Sequence, residues 1–356
     1  MPPELLLSQP LFAGVAPSLL ADAAPLFQLR SVFSGGTLWY EREPAGALAI
    51  VVDGGLAVRV GVREVGRIAP GELVGEASAF FGEPRIATVT VTAPTRLLVL
   101  DRASLGALRA SHPQVYDPLL QRALEAMARR VRDADRRISD ASTEGTDAPM
   151  RIVPLALDRV FRAFSGPEKE TPPGIYTLLR RLPRLNDAPV DVLTILAAAL
   201  TPRRVEEGDP VFLEGDAGDS AFVLTEGSLD VLREIYGGKA STLATLERGA
   251  VFGTGSLLLG ERRNASCIAR TACWVHELPA AAHASLRGEA GRLWRESLLS
   301  ALRAQVVLAD GLLADLAGGT TDAEREKLRE AAAQVLAYRV DDIPGDPWGF
   351  TVGPDR

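Results

Sequence analysis

The sequence carries one pattern twice, and that repeat limits the fold more than any other feature. Gly36-Thr37-Leu38, followed by Ala49-Ile50-Val51-Val52-Asp53-Gly54-Gly55-Leu56, reads as strand, strand and tight turn. Gly208-Asp209-Pro210 and the run from Ala221 to Leu229 repeat it 172 positions later. A second block, Gly75 to Thr88, returns as Gly253 to Ser266 at an offset of 178. The difference of six residues is expected at the hairpin around Tyr236-Gly237-Gly238-Lys239, since hairpin tips tolerate insertion.

Each copy has the same grammar. A short apolar helical segment opens it, Ser18 to Phe27 in the first and Val190 to Leu200 in the second. Short runs of Val, Leu and Ile follow, broken by Gly, Pro and Asp at the spacing of a small antiparallel β-roll. Charged helical segments close each copy. The fold expected is mainly β with α: two tandem antiparallel, jelly-roll-like β-rolls, each flanked by helices. The divisions read as domain 1 with its closing helix (1–140), a linker with a short helix from Leu155 to Phe164 (141–181), domain 2 (182–288), C-terminal helices (289–340) and a tail (341–356).

The repeated block has the composition of an anion cradle. Gly75, Ala77 and Ser78 suit a short helical turn with free backbone N–H groups, which attract phosphate. Arg85, nine residues after Glu76, can give two parallel charge-assisted hydrogen bonds to phosphate oxygens. Glu76 repels phosphate but accepts a hydrogen bond from a ribose hydroxyl. Ile86, Ala87 and Thr88 continue into the next strand.

At these residues the chain resembles the cyclic nucleotide-binding domain family, which includes the catabolite activator and the regulatory subunits of cyclic AMP-dependent kinase. The family cassette runs F-G-E-x-A-L, a spacer, then P-R-x-A-T. Copy one has Val74-Gly75-Glu76-Ala77-Ser78-Ala79, then Pro84-Arg85-Ile86-Ala87-Thr88. The resemblance covers about residues 10–140 and 182–317. It implies that Glu76 binds the ribose 2′-hydroxyl, Arg85 the cyclic phosphate, and the backbone at Ala77 and Ser78 the rest of the phosphate. The competing reading is a copy without ligand, in which Glu76 and Arg85 pair with each other. Copy one also has Glu43 where copy two has Gly215, in place of the family's glycine between strands.

Copy two is a weaker candidate site: Gly253, Thr254, Gly255, Ser256, Arg263, Asn264, Ala265 and Ser266. Threonine stands where the ribose-binding glutamate is expected, and Arg262-Arg263 replaces Pro-Arg. Its alternative role is structural, as a second roll docked on the first or on a partner. In cyclic GMP-selective relatives a hydroxyl residue follows the cassette arginine. Here Ile86 and Asn264 follow it, which favours cAMP as ligand and leaves cGMP second.

The helices that close the copies carry apolar seams. Leu120, Leu124, Met127, Val131, Ala134 and Ile138 recur at steps of four and three. Arg129, Arg130, Arg132, Asp133, Asp135, Arg136 and Arg137 read as a solvated mixed-charge face, and Arg136-Arg137-Ile138-Ser139 as its exposed end rather than a kinase-inhibitory segment. Leu299, Leu302, Val306, Ala309, Leu313 and Leu316 repeat the seam. Gly318-Gly319 ends that helix, and Thr321 or Asp322 caps a further one through Ala337. The seams bury themselves within the monomer or join a homodimer.

Other classes lose support. No helix-turn-helix with a basic recognition face is visible, and the net charge of −7 argues against nucleic acid as a partner. Two cysteines and three scattered histidines offer no metal site, disulfide framework or catalytic set. No apolar run spans a bilayer, so no membrane insertion is expected, and the acidic N-terminus is unlike a signal peptide. The expectation is a cytoplasmic bacterial regulatory protein that senses cAMP, is not an enzyme, and acts through a protein partner. The alternative is an adaptor whose rolls dock proteins and bind no nucleotide.

Overall fold

The computed structural model describes residues 2–142, 171–235 and 239–316. The helix expected from Leu155 to Phe164, Gly318-Gly319, the helix from Asp322 to Ala337 and the tail 341–356 lie outside the described residues. So does most of the hairpin tip at Tyr236-Gly237-Gly238.

Copy one begins with α1 (Glu4–Leu7) and α2 (Pro17–Ala23). Strands β1 (Gln28–Val32), β2 (Thr37–Trp39), β3 (Ala47–Val60), β4 (Arg63–Ile68) and β5 (Leu73–Val74) follow. Helix α3 (Glu76–Ala79), strand β6 (Thr88–Asp101) and helices α4 (Arg102–Ser111) and α5 (Pro113–Ser142) complete it. All its strand pairs are antiparallel, in the order β1-β6-β3-β4, with β2 on β6 and β5 on β3.

Copy two is preceded by α6 (Ile175–Leu179) and α7 (Val190–Ala199). Its strands are β7 (Thr201–Val205), β8 (Pro210–Phe212), β9 (Ser220–Glu226), β10 (Leu229–Ile235), β11 (Lys239–Leu246) and β12 (Val251–Phe252). After α8 (Thr254–Leu259) come β13 (Ser266–Ala269), β14 (Cys273–Pro279), α9 (Ala280–Ser285) and α10 (Gly288–Leu316). They form two four-stranded antiparallel sheets, β11-β10-β13-β8 and β12-β9-β14-β7. The fold is the pair of β-rolls with flanking helices that the strand rhythm predicts.

Side-chain alternation gives each strand its place. Along β3, Leu48 and Ile50 face the helices while Ala49 and Val51 fill the roll, and β6 answers with Leu98 and Leu100 outside and Leu97 and Val99 within. A slip of one residue would exchange both sets. In copy two Val223 faces the helices, whereas Phe222 and Leu224 lie inside the roll.

The repeat is in register at 173 residues, one more than letter matching gives. Gly35 donates its N–H to Val91 O (2.8 Å), and Gly208 donates to Ala269 O (2.7 Å). Tyr40 N–H bonds the Glu43 carboxylate (2.8 Å), and Leu213 N–H bonds Asp216 likewise (2.8 Å). The shift to 178 is therefore five residues rather than six. It falls between Leu229 and Leu246, paired across the β10–β11 hairpin as Leu56 and Ile68 pair across β3–β4.

The two closing seams pack on each other within the chain. Leu120, Leu124 and Met127 of α5 and Leu299, Leu302 and Val306 of α10 share one buried core, and Ala134 meets Ala309. The side chains of Ile138, Leu313 and Leu316 lie outside the described residues. At the other end a buried charge ties the copies together. Glu296 of α10, 1% exposed, accepts hydrogen bonds from Arg109 Nε and Tyr116 OH, each at 2.7 Å, and Arg184 Nε lies 3.4 Å away. Burial, then the Glu296 charge, pushes the Tyr116 phenol up, so it remains a donor.

Candidate functional site

In copy one, strand β5 turns into α3 at Gly75, whose φ of +83° only glycine adopts freely. A Cβ there would sit 2.5 Å from Arg85 Nη1 and 2.7 Å from the Trp39 ring. Glu76, Ala77, Ser78 and Ala79 are all buried. Ser78 Oγ ties the turn to the Pro84 carbonyl at 2.9 Å.

The cassette arginine is held from three sides. Arg85 Nη1 donates to Gly75 O (3.2 Å), Nη2 donates to Ala47 O (2.6 Å), and the guanidinium lies 3.7 Å from the Trp39 ring centre. Its Nε has no partner, and only 4% of the residue is exposed. Burial pushes its pKa down to about 10, against the pull of Glu43 and Glu76.

Glu76 is fully buried, and neither carboxylate oxygen accepts a hydrogen bond. It does not form the ion pair with Arg85 that was the competing expectation. Its ion-pair neighbour is Arg130 of α5, with Nη2 3.2 Å from Oε1. Beside this closed cassette lies a cavity of about 220 Å³ between β3, β4 and α5. Its wall includes Ile86 and Ala87, but not Gly75, Glu76, Ala77, Ser78 or Arg85. Thr88 lies apart, accepting the Glu41 N–H at 3.0 Å.

Copy two rebuilds the same seat with other residues. Gly253 has φ +72°, and Arg263 Nη1 donates to its carbonyl at 2.8 Å. Arg263 Nη2 bonds Ser220 Oγ at 3.0 Å, and the guanidinium lies 4.2 Å from the Phe212 ring centre. Phe212 and Ser220 are thus the counterparts of Trp39 and Ala47, at the offset of 173. Ser256 Oγ donates to Arg262 O at 3.2 Å, as Ser78 does to Pro84. Ser266 Oγ takes the Glu214 N–H at 2.9 Å, as Thr88 takes that of Glu41.

The loop before the cassette is also shared, which corrects the pairing of Glu43 with Gly215. Gly215 N–H bonds Arg263 O (2.9 Å), and its counterpart Arg42 N–H bonds Arg85 O (2.8 Å). Arg42 takes φ +66° where Gly215 takes +87°, so copy one makes the turn without glycine, at some conformational cost.

Unlike copy one, copy two opens its cassette onto a cavity, of about 370 Å³. Gly253, Thr254, Gly255, Ser256, Arg263, Asn264 and Ala265 all line it, and Ser266 does not. Its roof comes from α5 through Ala128, Val131, Arg132 and Asp135, and from α10 through Leu302 and Gln305.

The charged side of helix α5 is solvated only in part: Arg129, Asp133 and Arg136 are exposed as expected, whereas Arg130, Arg132 and Asp135 meet partners. Arg130 meets Glu76 on one flank. On the other, Arg132, 7% exposed, pairs with Glu261 and donates to Arg262 O at 3.1 Å. Asp135 accepts from Asn264 Nδ2 at 3.0 Å. Burial raises the Asp135 carboxyl to about 6, opposed by the Asn264 bond, Arg233 and Arg132. Arg137 Nη2 reaches Val65 O at 2.9 Å, while Ile138 and Ser139 side chains lie outside the described residues. From α10, Arg303 pairs with Glu83, in the loop after α3. Arg130, Arg132, Asp135 and Arg303 meet partners more than 50 residues away, so no local spacing marked them.

Among the described residues no group of three or more His, Cys, Asp or Glu could hold a metal, and no helix is long and apolar enough to cross a membrane. Cys267 and Cys273 are buried free thiols, and burial pushes them up to about 12 and about 11.

The cyclic nucleotide-binding domain model matches residues 29–112 and 202–289. A CRP-like cAMP-activated global transcriptional regulator of Mycobacterium tuberculosis is 30% identical over 161 residues, 43% of this chain and 68% of that protein. A cAMP-dependent protein kinase regulatory subunit of Yarrowia lipolytica is 36% identical over 93 residues, 26% of this chain and 24% of that one. The solved regulatory domain of Toxoplasma gondii PKA with cAMP aligns with 82% of this chain and 93% of its own, at 20% identity and a TM-score of 0.31.

Proposed function

The chain belongs to the cyclic nucleotide-binding domain family, and on that premise we propose that it is a regulatory protein without catalysis of its own. It senses a cyclic nucleotide, cAMP in preference to cGMP, in the cytoplasm, and passes the change to a protein partner rather than to DNA. The observation that carries this reading is the guanidinium seat built twice. Arg85 and Arg263 are each 4% exposed, each bonded to the carbonyl of the cassette glycine, each stacked on an aromatic ring and each left with an unpartnered Nε. A buried cation with donors to spare gains from an anion, and a cyclic phosphate has the oxygens to supply.

In copy one the phosphate meets Arg85 and the N–H groups at Ala77 and Ser78, and the ribose 2′-hydroxyl donates to Glu76. Arg130 must first release Glu76, so ligand and helix α5 compete for one carboxylate. Binding then shifts the position of α5 by the ligand's differential affinity for the two arrangements. Because the seams of α5 and α10 are spent on each other, a homodimer through these helices would use their remaining faces.

The closed cassette of copy one favours a second reading, in which that roll is a docking module and binds nothing. Thermal unfolding separates the two. A cAMP sensor melts several degrees higher in millimolar cAMP, and Arg85→Ala reduces the rise. An adaptor melts at one temperature with or without nucleotide.

A further inference from the structure

Resting on the reading of Arg263 as an anion seat, we infer that copy two is a site of different selectivity, one that takes a phosphate monoester or diester anion on an apolar body and does not read a sugar 2′-hydroxyl. Its ligands are a 2′-deoxy cyclic nucleotide or a simple aromatic monophosphate as readily as cAMP. Charge is the first argument. Glu43 and the fully buried Glu76 act on Arg85 from beyond ion-pair distance. The position equivalent to Glu76 in copy two holds the neutral hydroxyl of Thr254, 4% exposed and in the cavity wall. Among the described residues no carboxylate lies within ion-pair distance of Arg263. Asp219, Glu277 and Asp216 act on it from farther away, and burial lowers its pKa.

Selectivity follows from what an absent hydroxyl leaves behind. In copy one a ligand without the 2′-hydroxyl gives the fully buried Glu76 carboxylate no bond in exchange for the Arg130 pair it must release. Stranding a buried charged acceptor is heavily penalised. Thr254 carries no charge, so the same ligand loses little in copy two.

The walls fit the rest of such a ligand. Phe212, which stacks on Arg263, and Phe252, Val231, Leu246, Leu302 and Val131 also line the cavity. Phe212 and Phe252 lie 6.1 Å apart with their planes 32° from parallel, surfaces suited to an aromatic face.

Calorimetry on the full chain tests this with three probes: cAMP, 2′-deoxy-cAMP and phenyl phosphate. Arg85→Ala isolates copy two and Arg263→Ala isolates copy one, with Arg85→Gln used instead if circular dichroism shows that Arg85→Ala has not folded. In the Arg85 variant cAMP and 2′-deoxy-cAMP bind within about threefold of each other, and phenyl phosphate competes with both. In Arg263→Ala the deoxy ligand binds at least about tenfold more weakly than cAMP. If the Arg85 variant binds cAMP but 2′-deoxy-cAMP at least tenfold more weakly, the inference falls while the sensor reading stands. If it binds phenyl phosphate but no cyclic nucleotide, Arg263 is an anion seat, but the inference falls together with nucleotide sensing at copy two. If it binds none of the three, the inference is wrong.

Discussion

Arg130 of α5 holds its Nη2 3.2 Å from the carboxylate of Glu76, a fully buried acid that no hydrogen bond satisfies. Two turns of the same helix thus bear on both copies, because Arg132 and Asp135 reach the cassette of copy two from its other flank. On the proposed reading, this pair holds copy one shut from within the chain and makes α5 the element that a ligand would move.

Removing the latch is predicted to trade resting stability for ligand response. Arg130→Ala leaves Glu76 buried and unpaired, but Arg130 is partly exposed, so the loss is about 1–2 kcal/mol rather than the full cost of breaking a buried pair. The rise in melting temperature produced by cAMP then grows. A variant as stable as the parent, with an unchanged cAMP response, shows that Arg130 does not restrain Glu76.

Gly75→Ala is predicted to lower stability by about 1–3 kcal/mol, through the positive φ and the displaced Arg85 and Trp39. Binding at copy one is lost with it. Denaturant unfolding and a cAMP titration of the same sample report both effects. Parental values in both would mean that the turn tolerates a side chain.

Much of this was legible in the sequence. The alternation of Leu48 and Ile50 with Ala49 and Val51 dictates a two-faced strand, and the cassette residues announce themselves by type and spacing. The register escaped by one because Ala49 and Ala221 share a letter, whereas hydrogen bonding matches Ala49 with Phe222 through the partners Val74 and Phe252. Trp39 and Phe212 were missed because the two copies use different aromatic residues for one stacking task. Arg130 and Arg132 read as solvated with their exposed neighbours Arg129 and Arg136, because a helix face shows its periodicity but not what distant segments bring to it.

Glu296→Gln is predicted to weaken the tie between the copies. The neutral amide keeps the shape but loses the charge-assisted bonds to Arg109 and the ion pair with Arg184. The cost is about 2–3 kcal/mol, read by chemical denaturation. A change below about 0.5 kcal/mol, the scale of an ordinary surface substitution, contradicts the tie.

The pH dependence has a definite sign at Asp135. Its folded pKa, raised to about 6 by burial, lies above the ordinary carboxylate value. The folded state therefore binds the proton more tightly, and this group adds stability as pH falls from about 6 towards about 4. Asp135→Asn carries no charge to bury, so at pH 7 it is more stable than the parent by about 1–3 kcal/mol, and the advantage shrinks by pH 4. Urea denaturation at pH 7 and pH 4 checks this; a variant less stable than the parent at pH 7 refutes it.

Isothermal titration of cAMP into the full chain tests the sensor most directly, with Arg85→Ala, Arg263→Ala and the double variant titrated alongside. A sensor built on two guanidinium seats gives saturable heat that each single variant reduces and the double variant abolishes. No heat with cAMP or cGMP at millimolar concentration contradicts it, and so does binding that survives the loss of both arginines.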